Sequence, residues 1–211
     1  MVPNLYPAFE RQEVVVHSPR HVRTFSRLSD KEVDAVAYAW SERIAVARLE
    51  GFAYVHALVN EGRAAGSSLP HSHSQLVWLR DAPPVVVDEL PDALTQLLSD
   101  GTMAVARREG LTAAVHRAGR LPYETLIGGE PFQLAAALRL LRDVVAALQR
   151  LEGPLPWNAW LHDGPRPHLE LVPRLSVLAG AELGAGLYIN TLAPEDAAAA
   201  LRNACRNPGG S

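Results

Sequence analysis

The chain alternates between long amphipathic segments and short apolar ones. Apolar residues recur every three or four positions over residues 30–50 and 131–151, which predicts two long helices with one buried face each. The first helix opens with the capping box Ser29-Asp30-Lys31-Glu32. A short helix over residues 91–99 and a final helix over residues 194–205 complete the helical prediction.

Short runs rich in β-branched and aromatic residues predict strands between these helices. They cover residues 13–17, 52–59, 71–80, 103–108, 112–117, 123–127, 158–162 and 168–172. In each part of the chain a long helix precedes two strands, and the second strand begins with Pro-His, at Pro70-His71 and at Pro167-His168. This weak internal repeat predicts two similar α+β halves, which one continuous sheet could join.

Composition narrows the range of partners and compartments. The 211 residues, 48% of them apolar, suffice for one sizeable core or for two small halves that share a sheet. The net charge of -3 gives no general attraction to nucleic acid or to an anionic membrane, so neither is an expected partner. Cys205 is the only cysteine, which excludes an internal disulfide and makes the cytoplasm the expected compartment. No apolar run approaches the about 20 residues that span a bilayer.

Candidate chemistry concentrates in the predicted strand at residues 71–80. Side chains alternate along a strand, so His71, His73 and Gln75 lie on one face. A neutral imidazole is a competent nucleophile toward phosphorus, best when its other ring nitrogen donates to a carbonyl or carboxylate group. Gln75 can donate to a phosphoryl oxygen but supplies no proton, which suits a leaving group such as a sugar phosphate. The alternative interpretation is a metal-binding or purely structural His-x-His pair.

The loop before this strand, at residues 60–68, consists largely of small residues. Its backbone can therefore approach a ligand closely. Free backbone N–H groups and the hydroxyls of Ser67 and Ser68 can hold phosphate oxygens. Elsewhere, His17 and His56 are interpreted as structural residues of strands.

Several stretches form recognisable motifs, and the most specific is Asn60-x-Gly62 followed by Ala65-Gly66-Ser67-Ser68-Leu69-Pro70-His71-Ser72-His73-Ser74-Gln75. This segment resembles the active site of galactose-1-phosphate uridylyltransferases, a branch of the histidine-triad superfamily. Val2-Pro3-Asn4-Leu5-Tyr6-Pro7-Ala8 and Ser18-Pro19-Arg20-His21 resemble two further motifs of that family. Residues 161–165, 168–174 and 180–182 resemble motifs in the second half of the family's proteins.

The resemblance covers nearly the whole chain and implies an α+β fold of two histidine-triad-like halves, with an antiparallel sheet and long helices packed on it. Residues 1–90 would form the first half, with the active-site segment, residues 91–206 the second half, and residues 207–211 a tail. The implied partners are a nucleotide sugar and a sugar 1-phosphate. Relatives usually pair, so a homodimer is expected.

For activity, the resemblance implies a ping-pong nucleotidyl transfer in carbohydrate metabolism, such as that of galactose. His73 would attack the α-phosphorus and carry the nucleotide, most simply UMP, while Gln75 and Ser68 hold phosphate oxygens. Glu182 would meet a sugar hydroxyl. The full set of expected substrate-binding residues is Asn4, Asn60, Gly66, Ser67, Ser68 and Glu182.

The family also implies two metal sites. His21 and His71 match the two histidine ligands of a zinc ion, whereas the usual Cys-x-x-Cys lies before the point at which this chain begins. A second, structural metal is held in the family by a glutamate and three histidines. The residues here that match three of these ligands are Glu89, His162 and His168, and Glu170 stands where the fourth is often found.

Two alternatives to uridylyl transfer stay open. Tyr188-Ile189-Asn190 followed by Pro194-Glu195-Asp196 resembles a plant adenylyltransferase-like branch, which favours an adenylyl-type nucleotide phosphorylase or hydrolase. Gln75 in place of a third histidine disfavours hydrolysis. The other alternative is a truncated, inactive nucleotide-binding homologue, because the chain apparently lacks the N-terminal segment of the family.

Overall fold

The computed structural model describes residues 1–87 and 91–207. Its framework is a nine-stranded sheet in which every described pairing is antiparallel. The strands are β1 (Val2–Pro3), β2 (Arg11–Val16), β3 (Tyr54–Glu61), β4 (His73–Leu79), β5 (Ala104–Arg108), β6 (Leu111–Val115), β7 (Thr125–Gly128), β8 (Trp157–His162) and β9 (His168–Pro173). Their order across the sheet is β1-β2-β4-β3-β8-β9-β7-β6-β5.

The helices pack mainly on one face of this sheet. They are α1 (Asp30–Leu49), α2 (Pro84–Val87), α3 (Pro91–Ser99), α4 (Leu134–Glu152), α5 (Gly180–Ala185) and α6 (Pro194–Arg206). Helix α4 lies between α1 and α6, and the three share one core with the sheet. Single 3₁₀ turns occupy Phe25–Arg27 and Arg63–Ala65. The predicted α+β architecture is confirmed.

Helix α1 shows how the sequence pattern sets the packing. Ser29 caps it reciprocally with Glu32, as the capping box predicts. The buried residues, spaced three or four apart, are Val33, Val36, Ala37, Trp40, Ile44 and Ala47. The fully buried Trp40 ring donates its Nε1 hydrogen to Ser74 Oγ at 2.8 Å, which satisfies two polar atoms inside the core. This contact fixes β4 from behind.

The sheet consists of two matching arrangements. Along the chain, β2, α1, β3 and β4 follow one another, and β4 lies between β2 and β3. In the same way β7, α4, β8 and β9 follow one another, and β9 lies between β7 and β8. At the centre β3 pairs with β8, placing Leu58 opposite Trp160 and Asn60 opposite Asn158. The two arrangements therefore form one continuous sheet.

The predicted repeat of Pro-His is offset by two residues in the structure. Strand β4 begins at His73 and β9 at His168. Each of these rings has Nδ1 near the carbonyl oxygen two residues earlier, at 2.8 Å for His73 and 3.1 Å for His168. His168 thus matches His73, whereas the sequence comparison had paired it with His71.

Strand β4 starts later than predicted because Ser72 pairs with the chain before α1. Its N–H donates to the carbonyl of Val22 at 2.8 Å, and its carbonyl accepts from the N–H of His17 at 3.1 Å. Helix α4 likewise starts at Leu134 and not at residue 131. Helices α2 and α5 and strand β1 were not predicted, since each is too short to show a periodic pattern.

The described residues cover the centre of the sheet only partly on the face opposite α1 and α4, which we call the open face, where Phe9, Val85 and Val86 line a small pocket with His56 and Leu58. Along β3, Val55, Ala57 and Val59 enter the helical core, so His56, Leu58 and Asn60 point to the open face. Farther along, α3 covers this face with an apolar cluster that includes Leu94 and Leu97. Among the described residues, no helix has the length and apolar content needed to cross a membrane.

Candidate active site

His73 begins β4 on the open face, with only 4% of its surface exposed. Its ring Nδ1 lies 2.8 Å from the carbonyl oxygen of His71. A carbonyl oxygen only accepts, so Nδ1 carries the proton and Nε2 keeps its lone pair. This is the tautomer that a histidine needs to attack phosphorus through Nε2.

A second buried histidine supports the start of β4 from the other side. His17 Nδ1 lies 2.8 Å from Ser72 Oγ, and its ring packs edge-on against Phe25. Burial, together with the nearby His73 and His71, lowers the pKa of His17 to about 3. The ring is therefore neutral at pH 7 and adds no charge behind the site. It is a structural residue of the strand end, as its sequence context predicted.

Gln75 follows His73 on the same face of β4 and has an oriented amide. Gln12 on β2 donates its Nε2 hydrogen to Gln75 Oε1 at 2.6 Å. The Gln12 Oε1 in turn accepts from the N–H of Ala8 at 3.0 Å, which fixes the donor end of Gln12. Since its oxygen is taken, Gln75 presents its NH₂ group as a donor, the property that a phosphoryl oxygen requires.

Three side chains, two on strands β3 and β8 and one just after β9, form a chain of hydrogen bonds beside the glycine-rich loop. Arg174 Nη1 donates to Asn158 Oδ1 at 3.2 Å, and Asn158 Nδ2 donates to Asn60 Oδ1 at 2.7 Å. Asn158 also donates to the carbonyl of Ala65 at 2.8 Å. The Asn60 amide therefore turns its NH₂ group toward Gly66, where a ligand could accept from it.

The loop between β3 and β4 is a tight turn. Gly62 and Gly66 both have positive φ, at 86° and 88°, which L side chains rarely adopt. The N–H of Gly66 donates to Arg63 O and that of Ser67 to Gly62 O. The sequence analysis expected free backbone N–H groups in this loop, but these two are not free to bind phosphate. Ser67 Oγ donates to the carbonyl of Leu69, while Ser68 is exposed.

A cleft of about 1620 Å³ brings most of the predicted substrate-binding residues together. The predicted residues that line it are His21, Asn60, Gly66, Ser67, Ser68, His71 and His73. Four arginines that the sequence analysis did not single out line the same cleft: Arg20, Arg23, Arg27 and Arg63. Their cationic groups make this a basic site in a chain whose net charge is negative.

Two predicted substrate-binding residues lie elsewhere. Asn4 follows β1 at the sheet edge, where its N–H donates to Gln12 O and its Oδ1 accepts from Tyr6 N. Glu182 caps α5 by accepting from Ala179 N at 2.9 Å, and this backbone hydrogen bond is the main cause that lowers its pKa. Neither residue lines the cleft that holds His73.

The predicted zinc ligands are neighbours but are already engaged. The rings of His21 and His71 lie 5.7 Å apart. His71 has Nε2 2.9 Å from Arg20 O and Nδ1 3.0 Å from Ser72 O, and His21 Nε2 accepts from Arg23 Nε. A zinc ligand needs a free lone pair, and a closed site needs four ligands. Among the described residues no third ligand joins them, so this pair does not fit zinc, and zinc binding stays a prediction.

The second predicted metal site is a charged cluster on the open face. The rings of His162 and His168 stack 4.5 Å apart. His162 Nε2 lies 3.0 Å from Glu170 Oε2 and 2.7 Å from Trp160 Nε1, and only one of these contacts can be a full hydrogen bond, since that nitrogen either donates or accepts. Glu89, the third predicted ligand, lies outside the described residues.

Arg120 already supplies a cation to this cluster. Its guanidinium forms ion pairs with Glu170 and Glu124. Burial opposes ionisation of Glu170, but the His162 hydrogen bond and the Arg120 charge together lower its pKa. No group of three described residues could hold a metal here, so the described part of the cluster does not fit the structural metal either.

Comparison with known proteins agrees with this geometry. The family model described as "Galactose-1-phosphate uridyl transferase, N-terminal domain" matches residues 7–84, the span that carries Asn60, His73 and Gln75. A solved uridylyltransferase superposes with a TM-score of 0.86 at 26% identity, over 97% of this chain and 80% of that one. The chain is similar to the galactose-1-phosphate uridylyltransferases in sequence and in fold. The resemblance inferred from its motifs is thereby confirmed.

The chain is also similar to plant proteins. It is 25% identical over 259 aligned positions to the ADP-glucose phosphorylase of Arabidopsis thaliana, covering 96% of this chain and 73% of the relative. A crystal structure of an ADP-glucose phosphorylase from the same plant, with bound ADP-glucose, superposes with a TM-score of 0.83 at 24% identity, over 95% of this chain and 80% of that one. That structure supports the shared fold.

The residues that the sequence analysis missed at the site are Gln12, Asn158 and the cleft arginines, whereas Arg174 was weighed there as a phosphate contact or a strand-end cap. Gln12 reaches Gln75 across the β2–β4 pair, and Asn158 reaches Asn60 across the β3–β8 pair. No local motif marks them, because their roles depend on which strands lie side by side. The arginines could have been found from their density, since three of them fall within residues 20–27.

Proposed function

We propose that this chain moves a nucleoside monophosphate, UMP in the first instance, between a nucleotide sugar and a sugar 1-phosphate through a covalent link to His73. The observation that carries the proposal is the His73 ring, whose Nδ1–H is held by the His71 carbonyl while Nε2 is left to react. The basic cleft around it suits a substrate with phosphate groups.

In the first step His73 Nε2 attacks the α-phosphorus. A nitrogen–phosphorus bond forms as the bond to the bridging oxygen breaks, and the sugar 1-phosphate leaves with the electron pair. The Gln75 NH₂ and the Asn60 amide hold phosphoryl oxygens as charge develops there. In the second step a phosphate oxygen of the acceptor attacks the same phosphorus and releases His73. Gln75 supplies no proton, which is why the leaving group must depart as an anion.

An adenylyl-transferring phosphorylase is the second candidate. It is favoured by the similarity to the Arabidopsis ADP-glucose phosphorylase and by the Tyr188-Ile189-Asn190 motif. The first step is the same with ADP-glucose as donor, and inorganic phosphate then attacks the adenylyl group. No step of either reaction is assigned to a metal. For both candidates the protein is proposed to work as a homodimer.

Labelling of the enzyme tests the proposal and separates the donors. The protein is incubated with UDP-glucose or ADP-glucose carrying ³²P at the α-phosphate, then quenched in base. We expect a base-stable, acid-labile label in the wild type and in His56→Ala, a matched histidine on the same sheet face but outside the cleft, and none in His73→Ala. Nucleotide binding without label from either donor would contradict the proposal and point to an inactive homologue.

A further inference from the structure

Three arginines line the His73 cleft without a carboxylate partner. Most arginines of this protein form ion pairs, including the fourth of the cleft, Arg20, which donates to Glu32 from Nε at 2.9 Å and from Nη2 at 2.6 Å. Arg23, Arg27 and Arg63 differ: within the described part of the chain no carboxylate pairs with them. No described carboxylate therefore neutralises their charge.

These arginines come from two separate segments that share the cleft. Arg23 lies two residues before the 3₁₀ turn between β2 and α1, Arg27 is the last residue of that turn, and Arg63 begins the turn after β3. All three are exposed. Gly62 fixes the direction of the second turn, because it lies so close to Pro156 that a Cβ there would approach it to 3.0 Å. The positive groups thus reach one space from different segments.

The nearest acidic group of the cleft, Glu61, is satisfied by other partners. Its carboxylate accepts from Thr24 Oγ1 at 2.6 Å, from Phe25 N at 2.7 Å and from Trp157 Nε1 at 3.1 Å. Burial raises the pKa of this carboxyl group, against the effect of those hydrogen bonds. Because two of the bonds hold the turn that carries Arg23 and Arg27, Glu61 positions the arginines without neutralising them.

We infer that Arg23, Arg27 and Arg63 bind the phosphate dianion that enters or leaves opposite His73. The inference rests on the proposed function. In the transfer step an anionic phosphate oxygen attacks the phosphorus of a nucleotidyl group that is itself anionic, and the His73 N–P bond breaks as the new P–O bond forms. Planar guanidinium groups match phosphate oxygens in pairs and reduce this repulsion. The dianion is either inorganic phosphate or a sugar 1-phosphate.

Anion binding in the His73→Ala protein tests this without any turnover. Inorganic phosphate and glucose 1-phosphate are titrated separately by calorimetry at low salt. Each Arg→Gln change at these positions is expected to weaken binding by about 3- to 10-fold, and the triple change by about 100-fold or more. Arg107→Gln is the matched control. Arg107 is an exposed arginine of β5 that lies outside the cleft and forms no ion pair with a described residue. Its replacement is expected to leave binding unchanged. Circular dichroism of the triple variant verifies its fold.

The outcomes separate this inference from the proposed function. The anion that binds more weakly to the triple Gln variant is the one that these arginines bind. The triple Arg→Lys variant is expected to recover part of that affinity, because lysine restores the charge but not the planar guanidinium group. If the triple Gln variant binds both anions as tightly as its parent, or if the parent binds neither, the inference is overturned. If anion binding depends on the arginines but the wild-type protein acquires no label at His73 from either donor, the inference stands and the proposed function is refuted.

Discussion

His73 and Gln75 are each oriented by a hydrogen bond to a neighbouring group of the protein. The His71 carbonyl holds one nitrogen of His73, and Gln12 holds the oxygen of Gln75. Each side chain therefore has one group left for the open face, a lone pair on His73 and an NH₂ group on Gln75. Such orientation costs nothing at the moment of reaction, which is how fixed dipoles contribute most to catalysis.

Gln12→Leu tests the orientation of Gln75. Without the donor at Gln12 the Gln75 amide can rotate, and turnover is expected to fall by about 10-fold, which corresponds to about 1.4 kcal/mol in the barrier. The free energy of unfolding is expected to fall by about 1–3 kcal/mol, since the hydrogen bonds of Gln12 to Gln75 and from Ala8 N are both lost. Gln96→Leu, at an exposed position of α3, is the control. Unchanged turnover in Gln12→Leu would show that Gln75 needs no such support.

His17 makes stability depend on pH. Its pKa is about 3 in the folded protein and 6.5 when exposed. Between these values the unfolded chain binds a proton that the folded chain refuses, so stability is full above pH 6.5 and declines as the pH falls toward 3. The slope from this group is at most about 1.4 kcal/mol per pH unit. Urea unfolding at pH 7.5 and pH 5 measures it, and His17→Gln, which cannot titrate, is expected to reduce the slope. An equal slope in both proteins would exclude this role.

At the scale of elements, the long helices were predictable and the short elements were not. The apolar spacing of α1 gave its six buried residues because each lies on one helical face. Strand β4 begins two residues late because Ser72 bonds to Val22, a partner some 50 positions away in sequence. Local patterns predicted the His73 segment for the same reason that they missed Asn158: the segment is contiguous, whereas Asn158 arrives from another strand.

The turn after β3 gives a prediction with an internal control. Gly62→Ala places a Cβ 3.0 Å from Pro156 Cβ at a φ of 86°, whereas Gly51→Ala has a similar φ of 82° and no atom within 4 Å. Both changes incur the strain of a left-handed conformation, about 1 kcal/mol. Gly62→Ala is expected to cost about 1–3 kcal/mol more, because of the clash, and to reduce turnover as well. Urea unfolding of both variants gives the difference, and equal losses would show that the turn can shift.

For the whole molecule, the β3–β8 pair joins two arrangements into one sheet. Trp157 at the start of β8 is fully buried and donates to Glu61 at the end of β3. Helix α4 lies beside α1, so the helical layer is continuous as well. Buried residues of α1, β3, α4 and β8 belong to one hydrophobic core that spans both arrangements.

The two arrangements are therefore expected to unfold together. Trp40 and Trp78 report on the first arrangement, and Trp157 and Trp160 on β8 report on the second. Two variants each retain one tryptophan pair and have the other pair changed to Phe. In each variant, the unfolding midpoint in urea measured by fluorescence is expected to equal the midpoint measured by far-UV circular dichroism. Two separated midpoints within one variant would show that the halves are independent folding units.

The two edges of the sheet determine how the protein behaves when it is concentrated. One edge is β1, which has only two residues, and one of them, Pro3, has no N–H to offer an incoming strand. The other edge is β5, where the register shifts between Ala104 and Ala106. Two charged residues, Arg107 and Arg108, follow this irregularity. Both edges resist the addition of a further strand. Prolonged storage should therefore produce little fibril growth.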